Sequence, residues 1–163
     1  MKQPIALLCV LISSVSLMAD DWPQWLGPRR DGVWRETGIL KRFPETGLKV
    51  LWRTPIGPGY TGPAVAGKMV IAMDRTLAKG ARNPTDPFER DSIPGAERIV
   101  CLDRNTGALL WKHEYPAAYT ISYPKGPRAT PVIDGERVYT LGAEGHLVCL
   151  KLDNGKPVWN HHF

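Results

Sequence analysis

"VCLDRNTGALLWKHEY" at residues 100–115 returns near the end of the chain as "VCLKLDNGKPVWNHHF" at residues 148–163. Val, Cys, Leu, Gly, Trp and His recur at the same spacing, with a constant offset of 48 residues. Identical spacing at this many positions indicates an internal repeat rather than chance. The fold must therefore be built from one structural unit that is used at least twice.

The repeat extends upstream of these two segments. "GPAVAGKMVIAM" at residues 62–73 resembles "TPVIDGERVYTL" at residues 130–141, but with an offset of 68 residues. The extra residues lie between the two matched parts of the first unit, and we assign them to an insertion at residues 75–98. Surface loops accept insertions of this kind and core strands do not. We expect a long loop there, without regular structure because it contains prolines.

The second unit has the pattern of four short strands separated by turns. Asp134-Gly135, Glu144-Gly145 and Asp153-Asn154-Gly155 are turn signals, and the segments between them alternate in polarity with no helical period. Four antiparallel strands in about 48 residues make one blade of a β-propeller. The predicted strands are residues 130–133, 137–142, 146–151 and 157–162.

The turn "DRNTGALLW" has a physical logic of its own. Asp103 and Thr106 can bond backbone groups within the turn, and Gly107 can adopt the positive φ that a tight turn requires. Trp111 then offers a flat ring that can lie between neighbouring blades and bury about 150–250 Å². A blade needs such contacts because it cannot bury both faces alone.

These residues resemble the tryptophan-docking repeat of quinoprotein dehydrogenases, which also occurs in a propeller lipoprotein of the outer-membrane β-barrel assembly machinery. The second copy departs from the pattern, with Lys151 where Asp is usual and Asn154 where Thr is usual. The opening "DWPQWLGPRRDGV" (21–33) and "TGLKVLW" (46–52) resemble exported PQQ-like β-propeller repeat proteins. The resemblance implies a structural docking motif made of Asp103, Thr106, Gly107, Trp111, Gly155, Trp159 and Trp52.

The resemblance also implies an all-β, quinoprotein-type propeller of about seven or eight blades. We expect about two four-stranded antiparallel blades in this chain, with the remaining blades beyond Phe163. "KVLWRTPI" (49–56) resembles the outer strand of a final blade. With no final blade to join, we expect this strand to be unpaired and Trp52 to be unplaced. The predicted organisation is a signal peptide at 1–19, an N-terminal segment with the closing strand at 20–57, blade 1 at 58–115 and blade 2 at 116–163.

The first nineteen residues combine one Lys, an apolar run and small residues that end at Ala19, which is the pattern of a secretory signal peptide. An uncleaved N-terminal anchor is the alternative. We predict an exported protein, periplasmic or associated with the cell envelope, with no membrane span after cleavage. The net charge of +5 is spread along the chain, so the sequence does not indicate nucleic-acid binding.

No pattern in the sequence indicates a metal or catalytic site. His113 and His161 occupy equivalent repeat positions, and the usual zinc spacings are absent. Cys101 and Cys149 are also equivalent, and packed sheets lie about 10 Å apart, beyond the reach of a disulfide. We therefore expect two free, buried thiols.

Two segments leave alternatives open. Trp22 and Trp25 either cover the end or side of the ring, which we favour, or form a carbohydrate-stacking surface. The 75–98 loop either contacts a protein or small ligand, or is a solvated loop with no partner.

Three functions remain open from the sequence. We favour a non-catalytic binding or scaffold module, because no nucleophile–base pair, carboxylate pair or phosphate loop is present. The first alternative is part of a quinoprotein oxidoreductase that uses pyrroloquinoline quinone and calcium. In the related enzymes the quinone lies on the ring axis and is held by several blades, so we expect neither cofactor to bind this segment outside a complete propeller. The second alternative is an inactive fragment.

Overall fold

The structure, a computed structural model, describes residues 20–163 and contains only β-strands as regular elements in that range. The predicted signal peptide at residues 1–19 lies outside the described residues. Between residues 20 and 163 there is no helix that could cross a membrane. The strands are β1 (Ala64–Ala66), β2 (Met69–Leu77), β3 (Gly95–Asp103), β4 (Leu109–Pro116), β5 (Val132–Asp134), β6 (Arg137–Leu141), β7 (His146–Lys151) and β8 (Pro157–His162).

The eight strands form two four-stranded antiparallel sheets, with the orders β1-β2-β3-β4 (blade 1) and β5-β6-β7-β8 (blade 2). The prediction of an all-β chain with two propeller blades is confirmed. The strands of blade 2 begin and end within two residues of the positions predicted from the repeat. Both blades also have a register shift directly after the repeated cysteine, between β3 and β4 in blade 1 and between β7 and β8 in blade 2.

The apolar core lies between the two sheets. Val, Ile and Leu side chains on one face of blade 1 meet those on the facing side of blade 2, and the Trp111 indole completes the layer. β-branched residues favour these half-buried strands because they pack well on a pleated surface. The buried members are Ala64, Ile71, Met73, Ile99, Cys101, Trp111, Ile133, Val138, Val148 and Leu150.

The predicted closing strand is not formed in this chain. Residues 49–56 have no strand geometry in the structure, because no neighbouring strand offers the backbone partners that a strand requires. The expectation that Trp52 would remain unplaced is wrong, however. Its indole is half-buried and packs on blade 1 through side-chain contacts that do not depend on strand pairing.

The loop of blade 1 is shorter than the predicted insertion. β2 continues to Leu77 and β3 starts at Gly95, so residues 75–77 and 95–98 extend the sheet. The expectation that the whole insertion lacks regular structure is therefore wrong at both ends. The prolines that interrupt a strand lie inside the actual loop, residues 78–94, where Pro94 directly precedes β3.

Candidate functional site

The indole of Trp111 joins blade 1 to blade 2. Trp111 lies on β4, and its Nε1 donates a hydrogen bond of 2.9 Å to the carbonyl oxygen of Leu152. Its six-membered ring lies against Gly155, where a Cβ would overlap the indole. Gly155 also has a φ of +68°, a conformation that side chains disfavour. Glycine is thus required at this position both by the backbone and by the ring.

Trp52 makes the same set of contacts on blade 1. Its Nε1 donates a hydrogen bond of 2.8 Å to the carbonyl oxygen of Arg104, and its ring lies against Gly107, which has a φ of +71°. Arg104 and Gly107 precede Leu152 and Gly155 by the repeat offset of 48 residues. Thr54 adds a hydrogen bond of 2.6 Å from its Oγ1 to the Gly107 carbonyl oxygen. The segment that contains Trp52 therefore contacts blade 1 in the same way that β4 contacts blade 2.

The turn that receives Trp52 is organised by one carboxylate. Asp103 Oδ1 accepts hydrogen bonds from the backbone N (2.8 Å) and Oγ1 (2.9 Å) of Thr106 and from the backbone N of Asn105 (3.0 Å). These bonds, led by the Thr106 hydroxyl, lower the pKa of Asp103 below its ordinary value. The ionised side chain thus holds the turn that presents Gly107.

The second turn reaches the same backbone geometry with different side chains. Asn154 Oδ1 accepts from the backbone N of Lys156 at 3.0 Å, as Thr106 Oγ1 accepts from Ala108 at 3.3 Å. Lys151 cannot replace the carboxylate of Asp103. Its carbonyl oxygen nevertheless accepts from the backbone N of Gly155 at 2.9 Å, matching the bond of 2.8 Å in blade 1. The departures from the repeat pattern therefore leave the turn intact.

A third indole, Trp159, occupies on β8 the position that Trp111 has on β4. It pairs with Cys149 as Trp111 pairs with Cys101. Trp111 is buried, whereas Trp159 is 44% exposed. All six residues of β8 are exposed. Blade 2 therefore has an open face, on which Trp159 occupies the position that Trp111 uses to contact the next blade.

A buried carboxylate that sequence reasoning missed ties the other end of the blade interface. Glu97 on β3 accepts hydrogen bonds from the hydroxyls of Tyr115 (2.5 Å) and Tyr119 and from the backbone N of Ala143 (2.8 Å) in blade 2. Burial and the Glu97 carboxylate raise the pKa of both tyrosines, so they remain donors. The repeat could not reveal this carboxylate, because the equivalent position in blade 2 is Gly145. The only signal in the sequence was an acidic residue shortly before an apolar segment.

Two more buried charges lie beside Glu97. The Arg75 guanidinium lies 3.8 Å above the ring of Tyr119 and donates to the carbonyl oxygens of Ile93 (2.6 Å) and Pro124 (2.7 Å). The neighbouring Asp74 is held by two hydrogen bonds from Arg98, at 2.7 and 2.5 Å. The buried charges at this end of the blades are therefore bonded to other protein groups.

The 78–94 loop packs against the linker that joins the blades, residues 117–131. Ile93 and Tyr119 form an antiparallel bridge, and Tyr123 donates its backbone N–H to the carbonyl oxygen of Pro87 at 2.7 Å. Both segments lie at the end of blade 1 where β2 ends and β3 begins. The two segments form one continuous surface.

The N-terminal segment lies along the inner edges of both blades. Trp22 exchanges two backbone hydrogen bonds of 2.9 Å with Val65 on β1, and Ile133 on β5 donates its backbone N–H to the carbonyl oxygen of Pro23 at 2.8 Å. β1 and β5 are the strands where the two sheets converge, as the innermost strands of propeller blades do. Trp25 is exposed and covers neither of these two blades, so the prediction that it covers the end or side of the ring stays a prediction.

The repeated cysteines and histidines lie at equivalent positions. Cys101 and Cys149 are free and buried, and burial raises the pKa of Cys101 to about 11. His113 and His161 pair with Ile99 and Leu147 in their own blades. Among residues 20–163, no group of three or more His, Cys, Asp or Glu side chains is arranged to hold a metal ion.

Comparison with known proteins gives matches to propeller repeats. A family model described as "Outer membrane protein assembly factor BamB" matches residues 95–163. The assembly factor BamB of Aliivibrio fischeri is 35% identical over 75 residues, which are 40% of this chain and 18% of that protein.

Two solved structures also match part of the chain. The crystal structure of BamB from Moraxella catarrhalis is 21% identical to this chain, with a TM-score of 0.33. The match covers 44% of this chain and 21% of the BamB chain. A europium-containing methanol dehydrogenase is 15% identical, with a TM-score of 0.32. That match covers 68% of this chain and 26% of the dehydrogenase chain. This chain thus spans about a fifth to a quarter of the relatives that it matches. Residues 95–163 are thus similar in sequence to the outer membrane assembly factor BamB.

Proposed function

We propose that this chain is part of an exported, non-catalytic β-propeller that acts as a protein-binding scaffold in the cell envelope. The sequence match over residues 95–163 to an outer membrane protein assembly factor supports this class of function. The signal-peptide pattern at residues 1–19 supports export.

The observation that carries the proposal is that the buried charges are held by hydrogen bonds to other protein groups. Asp74, Arg75 and Glu97 each hydrogen-bond two or more protein groups. A general acid or base must be able to reach the proton of a substrate. Glu97 instead joins blade 1 to blade 2 through Ala143. Asp74 and Arg75 hold the segments that pack around blade 1, through Gly57, Ile93 and Pro124. Structural bonds of this kind suit a scaffold.

The quinone and calcium of the related enzymes fit poorly against these two blades. A quinone on the ring axis would lie beside the innermost strands, β1 and β5. Trp22 and Pro23 already bond the edges of these strands. We therefore propose that neither cofactor is held here.

The docking motif belongs to the same proposal. Trp52 and Trp111 each contact a glycine turn of the next blade, and Trp159 has the register for a third such contact. We propose that Trp159 docks on the turn of a following blade, which would cover the open face of blade 2.

Deletion of the gene in its own host tests the scaffold. We expect the amounts of outer-membrane β-barrel proteins, measured by quantitative mass spectrometry of the outer-membrane fraction, to fall at least twofold. A plasmid copy of the gene should restore them. Unchanged amounts after the deletion would contradict the proposal. Quinone-dependent alcohol oxidation that disappeared with the gene would favour the oxidoreductase instead.

A further inference from the structure

Three exposed aromatic rings and three cations lie together on the surface formed by the 78–94 loop and the 117–131 linker. Phe88 is 64% exposed and Tyr123 is 47% exposed, and their ring centroids are 5.3 Å apart. Tyr60 is 48% exposed and lies beneath the Arg128 guanidinium, at 5.8 Å. The aromatic–cationic patch comprises Tyr60, Phe88, Arg90, Tyr123, Lys125 and Arg128.

The backbone holds Tyr123 rigidly in this patch. Its φ of +56° is unfavourable for a bulky side chain. Its N–H donates to Pro87, and its carbonyl oxygen accepts from Arg128 Nη2 at 3.1 Å and from the backbone N of Lys125 at 2.9 Å. Strained conformations that the surrounding structure maintains are concentrated at functional sites. A ring fixed in this way loses little conformational entropy when a partner covers it.

Phe88 is held from the other segment. Its backbone N–H donates to Asp86 Oδ1 at 2.9 Å, and Arg90 Nε donates to Ser122 Oγ at 3.3 Å across the two segments. Rigid, exposed aromatic side chains flanked by Arg are the typical energetic centres of protein interfaces. The two segments thus present the rings as one preformed surface.

The charge of the patch selects the partner. The 117–131 linker contains Lys125 and Arg128 and no acidic residue, and the 78–94 loop contains three basic and three acidic residues. The two segments together therefore carry a net charge of +2, from five basic and three acidic residues. A positive net charge favours an acidic partner.

The ring geometry favours a peptide over a carbohydrate. Phe88 and Tyr123 meet edge to face, with an interplanar angle of 73°. A sugar ring stacks on a flat aromatic face, and here the edge of one ring covers part of the face of the other. The two rings in contact instead present an apolar surface against which a single apolar side chain can pack.

We propose that the aromatic–cationic patch binds a protein segment that carries Asp or Glu residues next to an apolar side chain. This inference rests on the proposed scaffold function and names the surface and the partner chemistry for it. The apolar side chain lies against Phe88 and Tyr123, and the acidic residues lie beside Lys125 and the two arginines.

A library of phage-displayed twelve-residue peptides, selected on the purified chain, tests the partner chemistry. We expect recovered peptides to combine acidic residues with Leu, Phe or Trp. Synthetic copies should bind at least tenfold more weakly to Phe88→Ser and to Lys125→Glu, and more weakly at high salt. Phe43→Ser, at another exposed ring, and Lys156→Glu, at the opposite end of blade 2, should leave binding unchanged.

Three outcomes would overturn the proposal. These are no enrichment, enrichment of basic peptides, and acidic peptides that bind Phe88→Ser as well as the wild type. Binding to phosphatidylglycerol vesicles or dextran sulfate without any selected peptide would also overturn it, because it would identify a general polyanion site.

Complementation of the gene deletion separates this proposal from the scaffold proposal. If the wild-type gene restores outer-membrane β-barrel proteins and the Phe88→Ser, Lys125→Glu double variant restores them equally, the patch proposal is wrong and the scaffold stands. If the deletion has no effect, the scaffold proposal fails, and the peptide selection alone decides whether the patch binds acidic segments.

Discussion

At the scale of single residues, two glycines determine how closely neighbouring units can approach. Gly107 and Gly155 both have positive φ angles, and each lies beneath an indole that leaves no room for a Cβ. Gly135 also has a positive φ, of +53°, but no atom lies within 4 Å of its missing Cβ. The chain therefore contains its own control for separating the backbone requirement from the packing requirement.

Gly155→Ala should destabilise the chain by about 2–4 kcal/mol, because it adds overlap with Trp111 to the cost of a left-handed alanine. Gly135→Ala should cost about 1–2 kcal/mol from the backbone alone. Urea unfolding followed by tryptophan fluorescence measures both. Equal losses for the two variants would show that the indole does not require glycine beneath it.

His146 should make stability depend on pH. Its ring stacks on His162 with centroids 4.2 Å apart, lies 5.1 Å from the Tyr115 ring, and has Glu97 and Glu144 nearby. Burial, and then the charge of His162, lower its pKa in the folded chain, while the two carboxylates act in the opposite direction. The unfolded chain therefore binds the proton first. Stability should be constant above about pH 6.5 and should fall as the pH drops toward the folded pKa.

Melting temperatures measured between pH 8 and pH 5 test this dependence. His146→Gln should flatten part of the decline. Burial also lowers the pKa of His113, so this residue should contribute to the same decline in stability. The His113→Gln variant measures that second contribution separately. A decline that is identical in the wild type and His146→Gln would remove His146 from the explanation.

At the scale of elements, β4 is anchored to blade 2 at both ends. Trp111, near its start, bonds to Leu152, and Tyr115, near its end, shares Glu97 with Tyr119 and the turn before β7. The apolar core lies between these two anchors. Hydrogen bonds at the ends of a packed face fix the register of the sheets, which apolar contacts alone specify weakly.

Replacement of Glu97 by Gln should loosen the second anchor. The neutral amide cannot make charge-assisted hydrogen bonds. Its NH2 group would also face a hydroxyl or a backbone N–H that donates to Glu97 in the wild type, so two donors would meet. We expect a loss of about 1.5–3 kcal/mol. A double-mutant cycle with Tyr119→Phe, measured by urea unfolding, should show coupling between the two residues. Additive effects would mean that the bond contributes little to stability.

The sequence repeat predicted the strands of blade 2 well, but it did not predict the Glu97 contact between the blades. The strands of blade 2 and its turn at Asp153-Asn154-Gly155 follow from local signals that both copies share. Glu97 has no counterpart, since Gly145 takes its place, and its partners Tyr119 and Ala143 lie in other elements. Likewise, the pairing of Trp22 with β1 depends on a distant strand edge that no local pattern reveals.

At the scale of the whole molecule, the two faces of the blade pair differ. Blade 1 receives the indole of Trp52 from its own chain, whereas blade 2 presents Trp159 and Phe163, which are 44% and 76% exposed. An apolar face of this kind is normally covered by a partner. β8 is also an outer edge strand whose free backbone groups can pair with another chain.

We therefore expect the purified chain, residues 20–163, to self-associate through the open face of blade 2. Head-to-tail stacking onto blade 1 is opposed because Trp52 occupies the receiving turn, so two copies should meet face to face. Chromatography with light scattering should show a mass that rises with concentration over tens of micromolar. Trp159→Ser combined with Phe163→Ser should restore a monomer, whereas Trp25→Ser, at an exposed indole far from β8, should not. A wild-type chain that stays monomeric at every concentration would mean that the Trp159 face is not adhesive on its own.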